Sequence, residues 1–336
     1  MALSSDELIK REIKDFFAGV RPDLRLRIFP QSSRDDQKLF SEGGLTFGVD
    51  GVAYGSCDSA WLIEKKWIDG FDGRQVPFKP VLVLEATDAL SRGSSGNAQY
   101  QRFHHALGAV RNGTLGVLYF RPGNDKIQPD LYGMAVRASQ EESGNYIISD
   151  SLYEIKMLLV SYGTEKFQKL LSAKTEAMED IFQKSLSERY GGSWDKFAQK
   201  RSTIQFSDRV VKYAGRNVRN FTESSQRAGH IALGEMYLTK YLFGPKEVLY
   251  LFPRMVSKDL KNLDNNKSTD KEWYLLRNEP RVRIVTASDI IGVDTIFLKR
   301  MKEIRDLPLK GEALRIYSTQ VKRLHEALLS GKWLIS

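Results

Sequence analysis

The chain has 336 residues, 41% of them apolar and 28% charged, with 51 Lys and Arg against 42 Asp and Glu for a formal charge of +9. That composition excludes an intrinsically disordered chain, leaves length for one large or two smaller folded domains, and leans mildly towards a polyanionic partner. A single cysteine, Cys57, excludes a disulfide scaffold and a Cys-rich zinc module, and no run reaches the ~18–20 apolar residues of a membrane span.

The N-terminal stretch predicts a helix from Ser5 to about Phe17, because Leu8, Ile9, Ile13, Phe16 and Phe17 recur at helical spacing behind a Ser/Asp start. It has no apolar core for a signal peptide, so a soluble, cytoplasmic protein with no membrane partner is expected. Leu24–Phe29 and Val52–Tyr54 read as short strands. A strand over Ala60–Ile68 leads into the turn-rich DGFDGR, and the apolar run Val81–Leu84 ends in Glu85. SRGSSGN precedes a helix from about Asn97 to Arg111, closed by Asn112-Gly113. Leu115–Phe120 reads as a buried strand, and weaker strands are expected at Leu131–Arg137 and Tyr146–Ser149. A long amphipathic helix fits 164–188. After it come a basic segment, a helix near 228–243, strands near 247–252 and 281–286, and a last helix near 312–330. Asn262–Asp270 reads as a solvated loop. The expected domain boundary lies near 150, giving units 1–150 and 151–336.

Asp58 and Glu85 form the sharpest chemical signal. If the strand after Asp58 pairs antiparallel with the strand ending at Glu85 about a turn midway between Phe71 and Asp72, the two carboxylates meet at one end of the hairpin. Close carboxylates repel and shift each other's proton affinity unless a cation lies between them. Mg²⁺ suits such a pair, since it takes oxygen ligands and is held by one or two carboxylates plus substrate phosphate. The residues alone also fit a structural reading, with Glu85 ending a strand and Asp58 in a turn.

Helix, strand, strand with Asp, strand ending Glu-x-x, helix, strand resembles the core of the PD-(D/E)xK nucleases, as in type II restriction endonucleases, over roughly residues 5–121. The resemblance implies a restriction-endonuclease-like α/β core, a mixed central sheet flanked by helices, followed by a mixed helical and strand C-terminal half. It implies metal ligation by Asp58, Glu85 and the backbone of Ala86, with Thr87 standing where the family carries its catalytic lysine. Cys57 precedes Asp58 where that family has Pro, so the motif reads CD…EAT. Lys65, Lys66, Arg92 and Arg102 are candidates for a relocated cation. SGNAQYQR (95–102) resembles the Gly-Asn-Ala…Arg segment of EcoRI-like enzymes, with Gln101 where that Arg stands and Arg102 one residue later. Asn and Gln can pair with adenine and Arg with guanine, so Asn97, Gln101 and Arg102 are candidate base readers, with Arg92 and His104 as further DNA contacts. The alternative for this helix is ordinary packing through Phe103, Ala106, Leu107 and Val110.

Residues 196–227 carry eight basic side chains against Asp208 and Glu223, a net +6. Lys200, Arg201, Arg209, Lys212, Arg216 and Arg219 are candidate DNA-backbone contacts, and such binding would be strongly salt-dependent. The interleaved Phe197, Phe206, Tyr213 and Phe221 read as core. In GHIALGE, His230 and Glu235 share no helical face and no HExxH pattern occurs, so Glu235 reads as a surface or interface residue. No nucleotide-binding glycine motif occurs, so no nucleotide cofactor is expected. The expectation is a Mg²⁺-dependent type II restriction endonuclease, part of a restriction-modification pair, acting on double-stranded DNA as a homodimer. The alternatives are a catalytically degenerate DNA-binding protein on the same fold, and a non-specific repair or RNA-processing nuclease.

Overall fold

The computed structural model describes residues 5–29, 45–49, 52–69, 75–90, 99–215, 226–258 and 270–335. The chain divides into two compact units, Met1–Ser185 and Leu186–Ser336.

In the first unit, α1 (Ser5–Phe16) and β1 (Arg25–Ile28) precede a small hairpin of β2 (Thr46–Val49) and β3 (Val52–Ser56). Then come β4 (Ser59–Asp69), β5 (Gln75–Thr87), α2 (Phe103–Arg111), β6 (Leu115–Phe120), α3 (Pro129–Glu141), β7 (Tyr146–Ser149), α4 (Leu152–Ser161) and α5 (Glu165–Tyr190). The sheet order is β1-β4-β5-β6-β7. β1 and β5 flank β4 antiparallel, whereas β5, β6 and β7 run parallel through α2 and α3, the crossovers that parallel neighbours require. Alternation along β4 sends successive side chains to opposite faces. Trp61 meets Phe17, just beyond α1, at 4.8 Å between ring centroids, while Ala60 and Leu62 join Val83 and Ala109 of α2 in one buried cluster. The sheet is therefore covered on both sides, and Val81–Ala86 is buried throughout, as the unbroken apolar run requires.

The hairpin takes the register that a turn in DGFDGR predicts: Ser59 opposes Leu84, Ala60 opposes Val83 and Trp61 opposes Leu82. Irregularities farther along, after Trp61 and between Glu64 and Ile68, leave that end undisturbed. The middle of the turn lies outside the described residues.

Three expectations need correction. Leu131–Arg137 is part of α3 and not a strand: Pro129 opens the helix, and Leu131, Met134, Ala135 and Ala138 are buried at helical spacing. The helix expected from Asn97 is not continuous: Gln99 and Tyr100 are helical, 101–102 form a turn, and α2 runs from Phe103, while Asn97 lies outside the described residues. The division between units falls within α5 and not near 150, because α4 and α5 belong with the first sheet. There Arg137 pairs with Glu179, Lys174 with Glu154, and the Ile148 N–H meets Met178 Sδ at 3.4 Å.

Gly108 lets α2 approach the β2–β3 hairpin. A Cβ there would lie 2.6 Å from Tyr54 Cβ and 2.9 Å from Phe47 Cβ. Gly108→Ala is accordingly expected to cost about 1–3 kcal/mol of overpacking. Urea unfolding followed on the first unit should show a lowered midpoint with an unchanged slope, and an unaltered midpoint would contradict the close approach.

The second unit contains α6 (Trp194–Lys200), β8 (Thr203–Gln205), β9 (Arg209–Tyr213), α7 (Gln226–Leu242), β10 (Glu247–Phe252), α8 (Asp270–Asn278), β11 (Val282–Thr286), α9 (Thr295–Glu303) and α10 (Gly311–Leu329). Its sheet runs β11-β10-β9-β8, with β9, β10 and β11 parallel and β8 antiparallel at the edge. Val211, Leu249, Leu251 and Val285 pack with Phe297, Met301 and Leu324. The described part of the basic segment up to residue 215 is thus structured, and Asp270, expected in a loop, opens α8; residues 216–225 and the rest of that loop lie outside the described residues. Both units are mixed α/β, each with a mixed sheet flanked by helices. No described helix is long and apolar enough to cross a membrane.

Candidate functional site

Asp58 sits at the β3–β4 junction, held from both sides by backbone. Its N–H donates to the Leu84 carbonyl at 3.1 Å, and its own carbonyl accepts from the Phe29 N–H at 2.8 Å. The side chain is fixed as well: Oδ2 accepts from the Ala86 N–H at 2.8 Å, and Oδ1 lies 3.0 Å from Lys10 Nζ on α1. Glu85, one residue earlier on β5, is 1% exposed. Its Oε1 takes Arg102 Nη1 at 2.8 Å and His105 Nδ1 at 2.9 Å. The hairpin, α1 and the start of α2 thereby gather these side chains into one cluster, in which Asp58, Glu85 and Lys10 are buried and Arg102 and His105 are half-buried.

The two carboxylates sense each other. Burial first, and the charge of Glu85 second, push the Asp58 carboxyl above its ordinary range, against the opposing pull of Lys10, Arg102 and the Ala86 N–H. The neighbouring Cys57 thiol is pushed well up by burial and by both carboxylates. Two such oxygen donors are the set a hard divalent ion prefers, and an ion between them would relieve their repulsion.

Thr87 is buried, and its Oγ1 accepts from the Ala89 N–H at 3.2 Å, so its hydroxyl shapes the turn after β5. Arg102, expected to read bases, is turned onto Glu85. His104, expected on an exposed polar face, is 1% exposed. The reason is that α2 buries seven of its nine residues, leaving little polar face. Gln101 is half-buried; the neighbouring Gln99 is buried, its amide donating to the Lys126 carbonyl and accepting from the Gln128 N–H. Lys66 is exposed. Arg92, Asn97 and the side chain of Lys65 lie outside the described residues.

Lys10 belongs to none of the motifs above, although the sequence carries a signal for it. It shares the α1 stripe of Ile13 and Phe17, three and seven residues on, where a side chain faces inward. Of the apolar residues that mark the helix, Ile9, Ile13 and Phe17 are buried, and Leu8 and Phe16 are exposed.

In the second unit the basic segment divides. Lys196 and Lys200 are exposed, whereas Arg201 and Arg209 are half-buried, Arg201 over the Phe197 ring and Arg209 against Asp208. Lys212, expected at a DNA surface, is buried on β9 and donates to the Arg201 carbonyl; burial pulls its pKa below the usual lysine value. Arg216 and Arg219 lie outside the described residues. Phe197 and Tyr213 are core, as their spacing suggested, and Phe206 packs partly buried against that core; Phe221 is outside the description. Glu235, read as a surface or interface residue, is half-buried: it accepts from the Gly215 N–H at 2.9 Å and the Tyr250 hydroxyl at 3.0 Å, tying α7 to β10 and to the residues after β9. No family model, curated protein or solved structure matches the chain.

Proposed function

We propose that the chain is a Mg²⁺-dependent, sequence-specific endonuclease of double-stranded DNA, of the type II restriction class on a PD-(D/E)xK-like core. One observation carries the reading: Asp58 and Glu85, distant in sequence, share a buried cluster at one end of a mixed sheet. The order α1–β1–β4–β5–α2–β6 around that pair supports it further. Asp58, Glu85 and the backbone of Ala86 would hold the ion, which when bound polarises the phosphodiester and lowers the pKa of the attacking water. The water oxygen forms a new bond to phosphorus, one ester P–O bond breaks, and the leaving oxygen takes a proton. Arg102 and His105 hold Glu85 in place, and the Ala86 N–H orients Asp58. A twofold dimer, with one such site per strand, is the arrangement that cuts a palindrome.

A second reading, a DNA-binding protein without catalysis, is favoured by Thr87 and by the engagement of Glu85 with Arg102 and His105. Plasmid DNA incubated with the chain and Mg²⁺ separates these readings. Discrete fragments support the restriction-type nuclease, and a smear favours a non-specific one. Intact plasmid with salt-sensitive binding retained would favour the inactive binder.

The burial pattern sorts the basic segment within this reading. Lys196→Ala with Lys200→Ala is expected to lower the slope of log affinity against log salt by up to about 2, roughly 0.9 per lost phosphate contact. Lys212→Met is expected to leave that slope unchanged. Filter binding over a salt series checks both, and equal effects would remove Lys196 and Lys200 from the DNA surface.

A further inference from the structure

Resting on the nuclease reading above, we propose that Lys10 supplies from α1 the fixed positive charge that position 87 lacks, acting on the same reaction through Asp58. Lys10 is 1% exposed, and its Nζ lies 3.0 Å from Asp58 Oδ1. Burying an ammonium is costly unless it is paired, and a helix position between Ile9 and Ile13 would be served for packing alone by an apolar side chain. Here the charge is kept and aimed at one particular oxygen. The other oxygen of the same carboxylate is taken by the Ala86 N–H, so Lys10 and the β5 backbone together set the orientation of Asp58. Arg102, just before α2, and His105 on it lie against Glu85, so each acid has basic groups within ion-pair distance from a different part of the fold.

Position 87 offers no such charge, because Thr87 is neutral; its hydroxyl accepts from the Ala89 N–H in the turn after β5. Glu85 and Thr87 are two apart on one strand and share a face, so a long basic side chain at 87 would enter the cluster from the β5 side. Lys10 enters it from α1. The consequence is a positive charge beside the carboxylates, where negative charge builds up as the phosphodiester is attacked. Before a divalent ion binds, the same charge competes with that ion for Asp58. Lys10 is a positioning residue in this scheme, with two separable effects of opposite sign.

The full-length chain tests both with Lys10→Met, Lys10→Arg and the double variant Lys10→Met/Thr87→Lys. Calorimetric titration with Mn²⁺ is expected to show roughly tenfold or greater tightening in Lys10→Met, because a competing charge beside Asp58 is gone. Plasmid cleavage by the same variant should fall on the order of 10²-fold or more, with Lys10→Arg retaining part of the activity. Thr87→Lys in the Lys10→Met background should restore cleavage by on the order of tenfold. A purely structural lysine would give a different result: weaker Mn²⁺ binding, a lower melting temperature and no rescue from position 87, and that pattern overturns the proposal. So does cleavage by Lys10→Met equal to that of the unmodified chain. If the unmodified chain cuts no DNA while Lys10→Met still binds Mn²⁺ more tightly, the nuclease reading fails and the placement of Lys10 against Asp58 stands.

Discussion

Glu85→Ala is expected to reduce plasmid cleavage by on the order of 10³-fold while leaving the first unit folded. The magnitude follows from what Glu85 does under the proposed function: it is one of two carboxylates on the ion, and its Oε1 anchors both Arg102 and His105. Glu85→Gln separates charge from shape, keeping an oxygen acceptor for those partners while removing the charge that helps push the Asp58 carboxyl up. Cleavage should be lost in both variants, and the Asp58 pKa, followed by carboxyl NMR, should fall in Glu85→Gln. The linkage has a definite sign. A carboxyl raised above its ordinary 3.8 is bound more tightly by protons in the folded chain than in the unfolded one. Its contribution to stability is therefore complete below that ordinary value and is lost as pH rises through the raised folded value. In Glu85→Gln that loss should be smaller, so the stability difference between the two chains should change with pH across the acid range. Unaltered cleavage by either variant would remove the pair from the chemistry, and an unmoved Asp58 pKa would mean the carboxylates do not sense each other.

The pair was legible in the sequence because a hairpin's register follows from its turn, and the DGFDGR signal gave the correct pairing of Ser59 with Leu84. Strand periodicity carried that inference across the hairpin without any side-chain detail. What surrounds the pair was not legible in the same way. Lys10, Arg102 and His105 reach it from two helices, and their meeting depends on how α1 and α2 are rotated over the sheet, which no local pattern specifies. The five apolar positions of α1 spread over more than one side of the helix and do not by themselves pick the buried one, which runs through Ile9, Lys10, Ile13 and Phe17. His104 misled for a related reason. A helix packed against one sheet should keep a polar face, but α2 is also approached by the β2–β3 hairpin over Gly108, so less of it is left open, and His104 is buried while His105 stays half-buried. Leu131–Arg137 failed because a short apolar window fits either period, and only the Pro129 start and the burial of Ala138 decide for helix. In the basic segment charge alone does not reveal burial, and Lys212 occupies a strand position whose neighbours Val211 and Tyr213 are core.

The largest stability effect is expected in the second unit, from Glu279→Ala. Glu279, just past α8, accepts from Lys240 Nζ and from the Tyr237 hydroxyl at 3.3 Å, both on α7. The side chains of the ion pair are 3% and 0% exposed for Lys240 and Glu279. Removing the carboxylate strands a buried ammonium, and losses of this kind are about 3–5 kcal/mol. Replacing both partners is a different experiment: Lys240→Met with Glu279→Leu removes two desolvated charges together and fills the space with apolar groups. The double variant should lie close to the unmodified chain, and well above Glu279→Ala in stability. Hydrogen exchange at the α7 amides reports on this unit directly. If the double variant were as unstable as Glu279→Ala, the loss would come from packing around α7 and α8 and not from the stranded charge. Unchanged exchange in Glu279→Ala would show that the ammonium finds water or another acceptor. Agreement with expectation would make the pair a pin that fixes α7, and through Glu235 on the same helix it would bear on the ends of β9 and β10.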